Sequence, residues 1–199
     1  MKSLLFSTFC ALLLCGCEKR EVTTAEVVTV EVLAETVPIL SSVPSVADLK
    51  AARVVAYRFA LPNDGPADLP MESGFSLITD GELDLATLEK LKIAEATLTS
   101  GQVLRLVDAV YGPHNKFGPA ACYTPHHLFL FHDSAGTLIQ AIEVCFGCIN
   151  LHAQPDVGES QWARHDFREL ARLCDEVGIG MSSGTAEEQI RIWDERDKH

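Results

Sequence analysis

The chain has 199 residues, 28 of them Asp or Glu and 16 Lys or Arg, for a formal net charge of −12 with neutral histidines. That acidity, without a basic patch or interleaved basic and aromatic residues, excludes nucleic acid as a partner, because phosphate binding needs clustered Lys and Arg. With 47% hydrophobic residues and no internal repeat, the chain suits a single core of ordinary domain size, roughly 100 to 150 residues.

Met1 to Cys17 reads MKSLLFSTFCALLLCGC, with Lys2 ahead of an apolar run from Leu4 to Leu14 and then Leu14-Cys15-Gly16-Cys17. A positive start before a short apolar run is an export signal, too short to span a bilayer. These residues resemble the lipobox of bacterial lipoproteins, in which an aliphatic residue and two small ones precede a cysteine. The resemblance implies cleavage after Gly16, a diacylglyceryl thioether on Cys17 and an acyl chain on its freed amine. Several chains together make a permanent membrane anchor, where one alone is marginal. Glu18, in place of Asp after the cysteine, implies the outer membrane facing the periplasm. An ordinary cleaved signal that contains cysteines is the plainer alternative.

Export removes Cys10 and Cys15 and occupies Cys17, leaving Cys122, Cys145, Cys148 and Cys174 in an oxidising compartment where disulfides persist. The expected organisation is a signal over residues 1–16, a lipidated tether over 17–49 and one domain over 50–199. The tether, rich in Val, Thr, Glu and Ala and without aromatic residues, contains Val27 to Val32, a β-prone run that competes as an edge strand.

Arg53 to Ala60 alternates as a strand and is stopped by the turn residues Leu61 to Pro66. Phe75 to Ile78 suggests a further short strand. Thr99-Ser100-Gly101-Gln102 is a capping box, and Val103, Leu106, Val107 and Val110 recur at helical spacing until Gly112-Pro113. Leu128 to Phe131 and Leu138 to Phe146, joined by Asp133-Ser134-Ala135-Gly136, read as a β-hairpin. Gln161 to Val177 reads as an amphipathic helix ending at Gly178, with Cys174 on its apolar stripe as a small core residue. Thr185 to Glu188 is a second capping box, opening a helix through Ile190 and Trp193. Without a regular βαβ alternation, the pattern predicts an α+β fold: a small antiparallel sheet with a central β-hairpin, packed against about three helices.

The hairpin carries the chain's one constellation with chemical potential. Cys122-Tyr123-Thr124-Pro125-His126-His127 stands on one side and Cys145-Phe146-Gly147-Cys148 on the other. With the turn centred between Ser134 and Ala135, His132 faces Thr137, His126 faces Glu143 and Cys122 faces Gly147. Cys122, His126, Glu143 and Cys145 then share one face, and His127, Phe129, Phe131, Ile142 and Val144 the other. A bulge at Pro125 or a one-residue slip exchanges His126 for His127 beside the cysteines.

Three chemistries fit. One is a disulfide from Cys122 to Cys145 or Cys148 that clasps the hairpin. Another is a Cys₃His site for Zn²⁺ or Cu⁺. The last is thiol redox chemistry at Cys145 and Cys148. The oxidising compartment places the disulfide first. Redox chemistry comes last because Ile149 to Pro155 does not begin a helix, whose N-terminus would stabilise a thiolate. Glu143 is either a partner orienting His126 or an ordinary cross-strand pair. His114, His132, His152, His165 and His199 stand in turns, a strand end, a loop, a helix and the terminus, as solvated or capped side chains.

The Cys-x-x-Pro-x-His segment, a hairpin and Cys-Phe-x-Cys together resemble a pattern shared by small uncharacterised bacterial proteins, often secreted or lipidated. The resemblance covers roughly Ala120 to Asn150 and implies that Cys122, Pro125, His127, Cys145, Phe146 and Cys148 act as one unit. It selects His127 over His126, and hence a bulge near Pro125. No nucleophile elbow, P-loop, Gly-x-Gly-x-x-Gly or His-Glu-x-x-His appears. The expected function is a membrane-tethered, non-enzymatic binding module. The alternatives are a thiol-redox or metal-dependent enzyme using the same cluster, and an inhibitor or immunity lipoprotein binding an envelope protein.

Overall fold

The computed structural model describes residues 36–38, 51–61, 75–112, 114, 122–155 and 165–198. All fall in one of two compact units, residues 32–199; the other, residues 1–31, lies outside the described residues, and with it the expected signal, the expected lipid-attachment residue Cys17 and the run Val27 to Val32. Within the stretch read as a tether, Thr36–Pro38 forms a short strand, β1.

The other strands are β2 (Arg53–Phe59), β3 (Ile78–Thr79), β4 (Glu82–Asp84), β5 (Lys92–Thr97), β6 (His127–His132), β7 (Leu138–Cys145) and β8 (Asn150–Gln154). The helices are α1 (Leu85–Leu91), α2 (Ser100–Tyr111), α3 (Phe167–Glu176) and α4 (Ala186–Arg196). An antiparallel five-stranded sheet runs β5-β2-β6-β7-β8, and a three-stranded one runs β1-β4-β3. The fold is α+β, as the pattern of elements predicts.

The hairpin β6–β7 occupies the middle of the large sheet, and this explains its composition. Every residue of β7 is buried, because neighbouring strands and material on both faces cover it, and a near-continuous apolar run suits such a position. Phe129, Phe131, Ile142 and Val144 pack with α2, α3 and α4, including Leu106, Phe167, Leu170, Cys174, Ile190 and Trp193. Leu128, Leu130 and Ala141 pack on the opposite face with Leu77, Ile78, Leu83 and Leu88. A fully buried Leu, Ile or Phe stabilises the fold by about 1.5–3 kcal/mol, so both layers are needed to hold the hairpin.

Both predicted capping boxes are present: Thr99 and Gln102 open α2, and Thr185 and Glu188 open α4, each threonine accepting from the third backbone N–H while the Gln or Glu side chain accepts from the cap N–H. Gln140 Nε2 donates to the Tyr111 hydroxyl, tying α2 to the sheet. Burial pushes the Tyr111 phenol up to about 12.

Two sequence expectations need correction. Helix α3 starts at Phe167: Asp166 accepts from Glu169 N at 3.0 Å as its cap, and His165, read as helical, precedes the helix, buried, its Nδ1 donating to Val110 O at 2.6 Å, while the expected start at Gln161 lies outside the described residues. His152 stands on strand β8, not in a loop. The stretch 82–98, to which the sequence reading assigns no element, holds β4, α1 and β5. Its Lys, Glu and Ala content favours helix, yet Ala94 and Ala96 pack inward at strand spacing while Ile93 and Glu95 face out. Tertiary packing overrides propensity there. Among the described residues no helix is long and apolar enough to cross a membrane.

Candidate functional site at the open end of the hairpin

The turn of the hairpin sets what meets at its open end. Asp133 Oδ1 accepts from Ala135 N at 2.8 Å and Thr137 N at 2.9 Å, and Gly136 adopts φ 84°. Asp133 N donates to Thr137 O at 3.0 Å, so the loop holds three residues, a form that wants a left-handed residue at its end. Ile139 then lies between the pairs Phe131–Gln140 and His132–Leu138 as a bulge. These two features slide the register by two places from the expected one. Leu128 pairs with Glu143, and His127 with Val144.

Beyond the bulge a shift of two is even, so His127 to Phe131 and Gln140 to Val144 keep the faces expected of them, whereas Leu138 and Ile139, on the turn side, exchange theirs. The partners change. His126 does not face Glu143; the register shifts beside the turn, and next to Pro125 both His126, whose N–H donates to Val144 O at 3.4 Å, and His127, which pairs with Val144, address one residue of β7, the pattern of a bulge. His126 Nδ1 instead donates to Thr124 O at 3.0 Å.

Cys122 and Cys148 form a disulfide, with Cα atoms 5.8 Å apart, inside the range that a bridge requires. It joins the segment entering β6 to the loop 146–149 between β7 and β8. Cys145 is wholly buried with a free thiol, and Cys148 N donates to its Sγ at 3.3 Å. Thr124 Oγ1 lies 3.7 Å from Sγ of Cys145 and 3.7 Å from Sγ of Cys148. The bridge consumes two of the three thiolates that a Cys₃His site for Zn²⁺ or Cu⁺ needs. Among the described residues no three His, Cys, Asp or Glu side chains are grouped to hold a metal. Cys174 is buried in the helix-side core, where burial pushes its thiol well above the usual range.

Glu143 has no exposed surface and is the centre of a polar knot on the face opposite the long helices. Leu77 N donates to Oε1 at 2.6 Å, Ser76 Oγ to Oε2 at 2.5 Å and the Tyr123 hydroxyl to Oε2 at 3.3 Å. His152, its partner on β8, brings Nδ1 to 3.8 Å. Removing a carboxylate from water costs several kcal/mol, and hydrogen bonds to a charged group return about 1.5–3 kcal/mol each, so this donor set is what makes the position tolerable. Burial first, and the Glu143 charge second, hold the Tyr123 phenol far above its ordinary value.

His127 is buried on the helix-side face, its ring edge-on to Phe146 at 4.9 Å between centroids, and Phe146 stacks on Trp193 at 6.2 Å. Its Nε2 lies 2.8 Å from Gly180 O. A carbonyl only accepts, so Nε2 carries the hydrogen, and Nδ1 is buried without a partner. Burial lowers its pKa to about 4, against the pull of the Gly180 hydrogen bond.

Cys122, Cys145, Cys148 and Glu143 therefore gather at one end of the hairpin, while His127 and Cys174 belong to the helix layer. Ser76, Leu77 and Thr124 complete the site without having been legible in the sequence. The available signal was Glu143 itself, a charge inside an otherwise apolar run, which implies buried donors without saying where they come from. No known protein family, curated protein or solved structure matches this chain.

Proposed function

We propose that this chain is a lipid-anchored domain of the bacterial envelope that acts by binding a partner protein rather than by turnover, with Cys122–Cys148 as the structural clasp of its central hairpin. The observation that carries this reading is the bridge itself. A disulfide between two segments of a central hairpin is made and kept in an oxidising compartment, which agrees with the export signal and with Cys17 as the site of lipid attachment. Catalysis finds less support, because the site's polar groups are spent on one another: Glu143 receives Ser76, Leu77 and Tyr123. The acidic charge of −12 suits a partner that offers a basic surface.

Expression of the full chain with a metabolic fatty-acid label tests the anchoring. The expected result is label in the membrane fraction, lost together with membrane retention in Cys17→Ser. Unlabelled wild-type protein released freely into the soluble periplasm would overturn the lipoprotein reading. Chemical cross-linking in intact cells tests the binding, with one stoichiometric adduct of the wild type expected. The same adduct formed by a form unfolded through Cys122→Ser and Cys148→Ser would show that the folded domain is not what binds.

A further inference from the structure

A purely structural clasp needs two cysteines, and this one has a third beside it. Cys145 is a buried free thiol whose Sγ takes a hydrogen bond from the N–H of Cys148 at 3.3 Å. The Thr124 hydroxyl oxygen is 3.7 Å from the sulfurs of both Cys145 and Cys148, so these sulfurs lie at most twice that distance apart. Cys122, the other end of the bridge, is exposed. The loop that carries Cys148 holds Ile149 at φ 49°, a left-handed conformation that a β-branched residue strongly disfavours. Strain of this kind persists only where surrounding structure enforces it, and it gathers at sites that switch.

We propose that the clasp is exchangeable and that Cys145 is its resolving thiol; the proposal rests on the clasp reading given above. Cys145, deprotonated, attacks Sγ of Cys148. A Cys145–Cys148 bond forms as the Cys122–Cys148 bond breaks, and the electron pair leaves on the sulfur of Cys122, which takes up the proton that Cys145 released. The Thr124 hydroxyl, touching attacking and attacked sulfurs, positions the two. Oxidation state is conserved, so neither oxidant nor reductant is consumed. The product unfastens the segment ahead of β6 and presents Cys122 as an exposed thiol, able to attack a disulfide of another envelope molecule and form a mixed disulfide while releasing that molecule's second sulfur as a thiol.

The test uses the mature wild-type protein purified from the envelope. It is sampled before and after minutes in a buffer of reduced and oxidised glutathione, quenched in acid, alkylated in denaturant and mapped as unreduced peptides. Cys122–Cys148 is expected at the start, with a Cys145–Cys148 bridge and alkylated or glutathionylated Cys122 appearing in the buffer. Thr124→Val should slow that appearance several-fold from the same starting bridge. Cys122→Ser, purified directly, should carry Cys145–Cys148. A wild type that starts with Cys122–Cys148 and never yields the second bridge overturns the exchange alone and leaves the clasp standing. A wild type without Cys122–Cys148 at the start overturns the clasp and the exchange with it. Should Cys122→Ser fail to fold, the wild-type time course, which needs no substitution, still decides.

Discussion

His127 and Glu143 sit one pair apart in the β6–β7 ladder and on opposite faces of the sheet, and the two faces accommodate an ionisable side chain by opposite means. On the helix side, His127 lies among Phe146, Trp193 and the helix layer with one hydrogen bond, to Gly180 O, and stays neutral down to about pH 4 because burial penalises the cation. On the other side, Glu143 is as deeply buried but has donors on both carboxylate oxygens. An apolar layer thus holds an imidazole by suppressing its charge, whereas a carboxylate at the next rung is held by a ring of donors drawn from distant segments. The first arrangement fails when a proton arrives. The second fails when the acceptor is removed.

Removing the acceptor should have the largest effect. Glu143→Ala leaves the Ser76, Leu77 and Tyr123 donors facing a gap, and a loss of about 3–5 kcal/mol is expected in urea unfolding. Glu143→Gln keeps the shape and should lose about 1–2 kcal/mol. A loss below about 1 kcal/mol for the alanine variant would mean that the donors find other partners, and the contrast between the faces would dissolve.

The clasp comes next. Cys122 and Cys148 are 26 residues apart, and the chain-entropy relation assigns a loop of that size about 3.5 kcal/mol. Unfolding of Cys122→Ser/Cys148→Ser, or of the wild type under reductant, should show a loss of that order. Equal stability with and without reductant would make the bridge ornamental.

Acid should then act on the helix side. Unfolded imidazole binds a proton below about pH 6.5, whereas folded His127 does so only near pH 4. Its neutral form therefore contributes fully above pH 6.5, and that contribution is lost as pH falls towards 4, a span on the order of 3 kcal/mol. Unfolding midpoints measured across this window should fall for the wild type and fall less for His127→Leu. Parallel curves would show that His127 is not the group responsible.

The smallest effect sharpens the same contrast. Thr185→Ala removes the cap of α4, the helix that brings Trp193 onto Phe146, and should cost about 1 kcal/mol. Amide exchange should quicken across α4 and leave the Glu143 side unchanged; exchange quickening equally on both sides would show that the faces do not respond separately.

Much of this was legible because it is local. Capping boxes span four residues, and the alternation of Leu128 and Leu130 with Phe129 and Phe131 assigns faces whatever the register. Pairing was harder to read, because it hangs on how Asp133 ties the turn and on where Ile139 bulges; the two errors add to an even slip that exchanges partners but preserves faces from Gln140 onward. Cysteine spacing narrowed the bridge to Cys122 with Cys145 or Cys148, and only the fold of the 146–149 loop chooses Cys148. Two of the donors on Glu143, Leu77 and Ser76, come from 66 and 67 positions away, where no periodicity connects them.

Which sulfurs are joined matters most to the open end of the hairpin. Peptide mapping of the purified full chain, alkylated in denaturant without prior reduction, answers this in one measurement. A single peptide pair linked through Cys122 and Cys148, with Cys145 and Cys174 both alkylated, is the predicted result. Four alkylated thiols at these positions would contradict it.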